Sequence, residues 1–128
     1  MIAEAYVIEA EVQVLGMLLF DPLAIARVID MLKAEYFSVH SHQKIYQAIL
    51  AVHSSGRTTT VLNVCHQLKM NGQLLEVGGH GVVGRMIDTV VTSANIDHLA
   101  ALIIESYAAR RIDSLPGILE LGETHLIC

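Results

Sequence analysis

The groupings with residue types that could do chemistry are few, and each has a spacing that can be tested against what that chemistry requires. Gly79-His80-Gly81-Val82-Val83-Gly84 has the GxGxxG spacing that lets a backbone approach a pyrophosphate, and Asp97 follows at a distance suited to a ribose hydroxyl. That fingerprint needs a preceding strand and a βαβ unit. Here the run before it, Leu74-Leu75-Glu76-Val77, is short, and most of the chain after Gly84 reads as one long helix. The glycines are therefore read as a turn ahead of a helix, with no cofactor. His40-x-His42 and Cys65-His66 offer metal-ligand atoms, but neither pair has the i, i+4 or CxxC spacing that converges donors on one ion. Structural or surface roles are expected for them, and no metal. Cys65 lacks a His or acid at the spacing of an activated nucleophile and reads as a small core residue. No Gly-Lys dipeptide occurs anywhere, so the phosphate-cradling GxxxxGK[ST] loop is not in this sequence. No catalytic residue is expected. Arg110-Arg111, the one adjacent basic pair, has two readings: a solvated pair suited to the negative end of a helix dipole, or an interface contact.

The elements that must carry these residues are all helical. Glu9 to Phe20 sets Val14, Leu15, Leu18 and Leu19 on one face, with Glu9, Glu11 and Gln13 read as lying away from it; Met1 to Ile8 is too short to classify. Asp21-Pro22 joins a capping oxygen to a residue preorganised for the first helical position, and Ile25, Val28, Ile29 and Leu32 continue as a second helix to about Lys33. Phe37 anchors the next break. Ser41 is a candidate cap for a helix bearing Ile45, Tyr46, Ile49, Leu50 and His53 on one stripe, with His53 read as a partly buried core or boundary histidine. Covered from both sides by its neighbours, this helix is read as the central one. It ends at Ser54-Ser55-Gly56. A fourth helix runs from about 60 to 70, with Val61, Leu62, Cys65 and Leu68 inward; Val82, Val83, Met86, Ile87 and Val90 mark a shorter fifth, weakened by Gly81 and Gly84. Thr92 or Ser93 caps the longest segment, with Ile96, Leu99, Ala100, Ile103, Ile104 and Tyr107 on its stripe, and Pro116-Gly117 should kink or end it. The expected fold is all-α, a compact six-helix globule with Leu15, Phe37 and Tyr46 in its core.

Composition narrows the function classes. At 128 residues one domain is expected. The hydrophobic content of 53% is high, yet the apolar run Val14 to Phe20 is far short of the roughly 20 residues that a membrane span needs. The surplus points to an interface. Eight Lys and Arg against thirteen Asp and Glu argue against a nucleic-acid surface. Two cysteines make no disulfide framework, and the N-terminus lacks a signal-peptide pattern, so a reducing cytoplasm is expected.

Four groups of residues, in order, carry a family likeness. They are Glu9-Ala10-Glu11 leading into Val14-Leu15-Gly16-Met17-Leu18-Leu19; Tyr36-Phe37 followed by His42 and Ile45-Tyr46-Gln47-Ala48-Ile49; Gly72-Gln73-Leu74-Leu75-Glu76-Val77-Gly78-Gly79; and Ser93-Ala94-Asn95-Ile96 before Arg110-Arg111. Together they resemble the N-terminal domain of DnaB-type replicative DNA helicases over roughly residues 8 to 112. The resemblance implies a helical head, residues 1–95, and a long helix, residues 96–128, similar to the first arm of a helical hairpin in the same domain. It implies a non-catalytic part in DNA replication: association of subunits into the collar of a hexamer, as a dimer or higher, and docking of primase and loader proteins. The ATPase lies in a separate domain of the family. Ile104, Tyr107, Arg110 and Arg111 are the expected association residues. Departures from the family pattern are Thr58-Thr59-Thr60 at the start of helix four, His80-Gly81 in the turn of helix five, and Pro116 within the arm. Two other readings fit the same residues, a free-standing collar-like regulator that binds helicase or primase, and an unrelated small helical module that binds DNA or a ligand.

Overall fold

A computed structural model describes residues 3–113, which form six α-helices and two 3-10 turns with no strand among them. The first helix, α1, spans Glu4–Phe20 and starts ahead of the expected Glu9, so the unclassified N-terminal segment contributes its first turn, with Glu4 at the positive end of the dipole. Every residue from Val14 to Leu19 is buried. That half of the helix is apolar all round and has to be enclosed, so α1 shares the central place with the helix beginning near residue 40, each packing on several other elements.

Asp21 ends α1 and caps the turn after it. One carboxylate oxygen accepts the Leu23 amide at 3.1 Å and the other accepts the Ser93 hydroxyl at 2.7 Å. The expected second helix is much shorter than its apolar stripe implied: a 3-10 turn over Pro22–Ala24 and one α-helical turn, α2, over Ile25–Val28. Turns carry the chain from there to Leu32, whose side chain is nonetheless buried. The second 3-10 turn, Ala34–Tyr36, was not expected.

Helix α3 spans His40–Ser54 with Val39 at its N-cap and no side-chain cap of its own, so Ser41 does not play that part. Its buried face comprises His42, Ile45, Tyr46, Ala48, Ile49 and Val52. His53 is exposed, one residue off the stripe assigned to it. Gly56, at φ +79°, supplies the left-handed residue that lets the chain turn back. Helix α4, Val61–Met70, is capped by Thr60, whose hydroxyl accepts the Asn63 amide at 3.1 Å. Val64, Cys65 and Leu68 are its inward residues, whereas Leu62 points to solvent.

Helix α5 is confined to Gly79–Arg85 and does not reach Val90, although Val83 and Met86 are buried as expected. Gly79 to Gly84, the run with dinucleotide-motif spacing, lies entirely on this helix. The last helix, α6, spans Ile96–Asp113 and buries Ile96, Leu99, Ala100 and Ile103. Thr92 accepts the Ala94 amide at 3.2 Å in a turn before it. Pro116-Gly117 and Cys128 lie outside the described residues.

The packing is one core. Helix α6 lies chiefly along α1 and also meets α2, while α3 packs on α1, on α4 and on the 34–36 turn. Phe37, Tyr46 and Leu15 sit in that core as expected, with the Phe37 and Tyr46 rings 5.1 Å apart. The Tyr46 hydroxyl donates to the Leu32 carbonyl at 2.8 Å, and burial pushes its pKa up to about 12. Backbones also come close at one point. A Cβ on Gly16 would overlap the carbonyl of Met86 and press on Val90, so the glycine lets the 86–90 segment lie directly on α1.

Candidate functional site

The end of α6 is where the chain gathers exposed polar and aromatic groups over a fixed base. Arg110 is half-buried and spans two elements: it donates to the Tyr36 carbonyl at 3.0 Å and to the Ser106 hydroxyl one turn back, also at 3.0 Å. Tyr107 lies over Tyr36, ring centres 4.6 Å apart at 36°, and its hydroxyl donates toward Glu35 at 3.5 Å. The guanidinium groups of Arg110 and Arg111 stand 5.8 and 5.9 Å from the centre of the Tyr107 ring, within cation–π reach. Arg111 also donates to the Tyr107 hydroxyl at 3.4 Å. Ile104 is partly buried and packs on the core nearer the start of the helix. Tyr107, Arg110 and Arg111 thus form one cluster, and Ile104 stands apart as part of the packing beneath it.

Arg110 borders two open clefts of about 350 Å³ each. Glu35, Gln43, Tyr107 and Arg111 line one, and Glu4, Val7 and Ser106 line the other. Both clefts reach Ser38, which belongs to the bend that the cluster rests on.

That bend is fastened from beneath by a carboxylate that its charge alone had set facing solvent. Glu11 is fully buried. Its carboxylate accepts the Ser38 amide and hydroxyl, each at 2.7 Å, and the Val39 amide at 3.4 Å, and it meets His42 Nδ1 at 2.8 Å. Val39 is the N-cap residue of α3 and Ser38 the one before it, so a carboxylate from α1 stands at the positive end of a helix whose own sequence supplies no cap. Burial drives the Glu11 pKa upward, but hydrogen bonds from His42 and Ser38, helped by the electrostatic pull of His42, outweigh it and hold the carboxyl below its ordinary value. The signal for burial was available: Glu11 stands three and four residues before Val14 and Leu15, on their face of the helix.

The metal-like pairs do not converge. His42 is buried against Glu11 while His40 is exposed, and Cys65 is buried while His66 is exposed. Burial raises the Cys65 pKa, which disfavours the reactive thiolate. No helix among the described residues is long and apolar enough to cross a membrane.

Known proteins share this architecture and sequence. The model for the DnaB-like helicase N-terminal domain family matches residues 3–105. The replicative DNA helicase DnaB of Nostoc sp. is 41% identical over 105 residues, 82% of this chain and 12% of that protein. The replicative DNA helicase DnaB of Geobacillus stearothermophilus is 35% identical, again over 82% of this chain and 23% of its own length. The chain therefore spans about 12% and 23% of these two relatives. The crystal structure of the N-terminal domain of DnaB helicase from Mycobacterium tuberculosis superposes with a TM-score of 0.80 at 31% identity, covering 90% of this chain and 84% of that one. By sequence and by fold, the chain belongs to the DnaB-like helicase N-terminal domain family.

Proposed function

We propose that this chain serves as the non-catalytic collar domain of a replicative DNA helicase, associating with further copies of itself and docking primase and loader proteins during DNA replication. The match to the N-terminal domain family over residues 3–105 carries the reading. The absence of a GxxxxGK[ST] loop from this sequence agrees with ATP hydrolysis belonging to a different part of the relatives.

Association runs through the end of α6. Tyr107 and Arg111 present an aromatic face and a guanidinium at the rim of a cleft, the residue types that anchor protein interfaces. Arg110 holds the helix end to Tyr36, and Ile104 sets its height over the core. Sedimentation velocity over a range of concentrations tests this. Tyr107→Ala with Arg111→Ala should shift the oligomer toward monomer with the helical content unchanged, since neither side chain is buried. An unchanged mass distribution in the double variant rejects these residues. Titration of the cognate primase into the chain tests docking separately, and no heat or mobility change at micromolar concentration rejects it.

A further inference from the structure

Charge is distributed very unevenly along this chain. All thirteen acidic residues lie outside residues 36–75, a stretch that holds Lys44, Arg57, Lys69 and four of the seven histidines. That stretch is the α3–α4 hairpin, one basic element on a protein of net charge −5. Its outer helix also exposes two large apolar side chains beside a lysine and a histidine. With 100° per residue, Leu62, His66, Lys69 and Met70 fall on one side of α4, away from Val64, Cys65 and Leu68, which pack on the core. Leu62 is 71% exposed and Met70 70%, and Leu75, just past the helix, is 90% exposed. Arg57 flanks this face, held by the side chain of Gln67 at 2.9 Å, and among the described residues neither it nor Lys69 pairs with a carboxylate.

We propose that the outer face of α4 docks an acidic amphipathic helix from a partner protein. Leu62 and Met70 stand about 12 Å apart along the helix axis, room for two turns of an opposing helix whose own apolar stripe covers them. Met70, unbranched and polarizable, adapts to the shape of what it meets. Lys69 and Arg57 then receive the flanking carboxylates, which set register and repel basic competitors. Nucleic acid fits less well, because three cations spread over forty residues make no phosphate-tracking cluster. This surface is distinct from the α6 end: α4 packs on α3 and α5, whereas α6 packs on α1, α2 and the 34–36 turn.

The test uses the isotope-labelled chain and a synthetic helical peptide of about four turns, with leucines at i, i+3, i+4 and i+7 and glutamates beside them. A second peptide has lysine for every glutamate. The expected result is amide shifts confined to residues near α4 with the acidic peptide, none with the lysine peptide, and binding that weakens as salt is raised. Leu62→Ser with Lys69→Glu should weaken binding roughly tenfold or more with an unchanged melting curve, as both residues are exposed. Tyr107→Ala with Arg111→Ala should leave it as it was. No shifts at millimolar acidic peptide overturn the proposal. So do equal binding of the lysine peptide, shifts centred on another helix, the same shifts with single-stranded DNA, or self-association that disappears with Leu62→Ser, which would make the face a contact between copies.

Discussion

Replacing Glu11 should be among the most damaging single changes in the head, and the structure gives the size of the effect. Glu11→Ala removes the acceptor of four contacts and leaves His42 buried beside an empty space. Ser38 is exposed and water can satisfy its amide and hydroxyl, so the penalty comes mainly from His42, the lost volume and the carboxylate removed from the start of α3. Leaving a buried donor without its acceptor costs about 1–3 kcal/mol, more where the lost acceptor is charged, a large share of the roughly 5–15 kcal/mol that holds a domain folded. Glu11→Gln keeps the shape but turns an amide NH2 toward donors, and about half that loss is expected. The pH dependence comes from the direction of the shift. A carboxyl whose pKa is lower folded than unfolded gives stability that is fully present above the ordinary glutamate value and is lost as pH falls through the folded value. Urea melts of wild type and Glu11→Gln from pH 7 down to pH 3 should therefore converge below about pH 4.3, the side of the ordinary value on which the wild-type carboxyl also becomes neutral. A stability gap that stays constant over this range would refute the electrostatic account. A Glu11→Ala variant within about 1 kcal/mol of wild type at pH 7 would refute the account of the buried contacts as well.

Two further changes probe the packing around this centre. Gly16→Ala should destabilise by about 1–3 kcal/mol although alanine is the better helix former by about 1 kcal/mol, because the added carbon meets backbone at Met86; thermal melts decide, and a rise in Tm would mean the 86–90 segment moves aside freely. Arg110→Ala should free the end of α6 from Tyr36, so hydrogen exchange ought to speed up across residues 107–112 and stay unchanged in α4, and uniform acceleration would show a global effect.

Helix positions were legible where apolar spacing was regular and a cap was local. Thr60 capping α4, Asp21 capping the turn at Pro22, and Gly56 turning the chain after α3 all accord with residue type and position. The second helix misled because Ile25, Val28, Ile29 and Leu32 keep helical spacing while the backbone loosens into turns after Val28; burial demanded the side chains inside, and turns deliver them as well as a helix would. The start of α3 misled for a different reason. The carboxylate at its start is that of Glu11, 27 residues before Ser38, so nothing near Ser41 announces it. Reading Glu11 as a solvated charge obeyed the rule that carboxylates stay outside, and three polar partners folded against it override that rule. Of the candidate site, Tyr107, Arg110 and Arg111 share a helix end that sequence could foresee. Tyr36 and Glu35 beneath them could not be foreseen, since only tertiary packing brings a turn roughly 70 residues earlier under α6.

The bend at residues 34–39 is what ties these observations together mechanically. From α1, Glu11 holds Ser38 and Val39; from α3, Gln43 donates to the Phe37 carbonyl at 2.8 Å; from α6, Arg110 holds the Tyr36 carbonyl while Tyr107 covers the Tyr36 ring. Phe37 itself is a plug in the core. Three helices thus fix a segment that contains only one turn of regular structure, and the far end of α6 takes its direction from it. The buried carboxylate and the exposed cluster are then not independent. Loss of Glu11 loosens Ser38 and Val39, which shifts Tyr36, and Tyr36 is the surface on which Tyr107 and Arg110 are seated. If α6 associates through that cluster, Glu11→Gln should weaken association at a pH and temperature where the head is still folded, although Glu11 is buried and touches no partner. The weakening should couple non-additively with Arg110→Ala, because both act through the same bend. Additive losses in the double variant would mean that α6 is positioned by its packing on α1 alone.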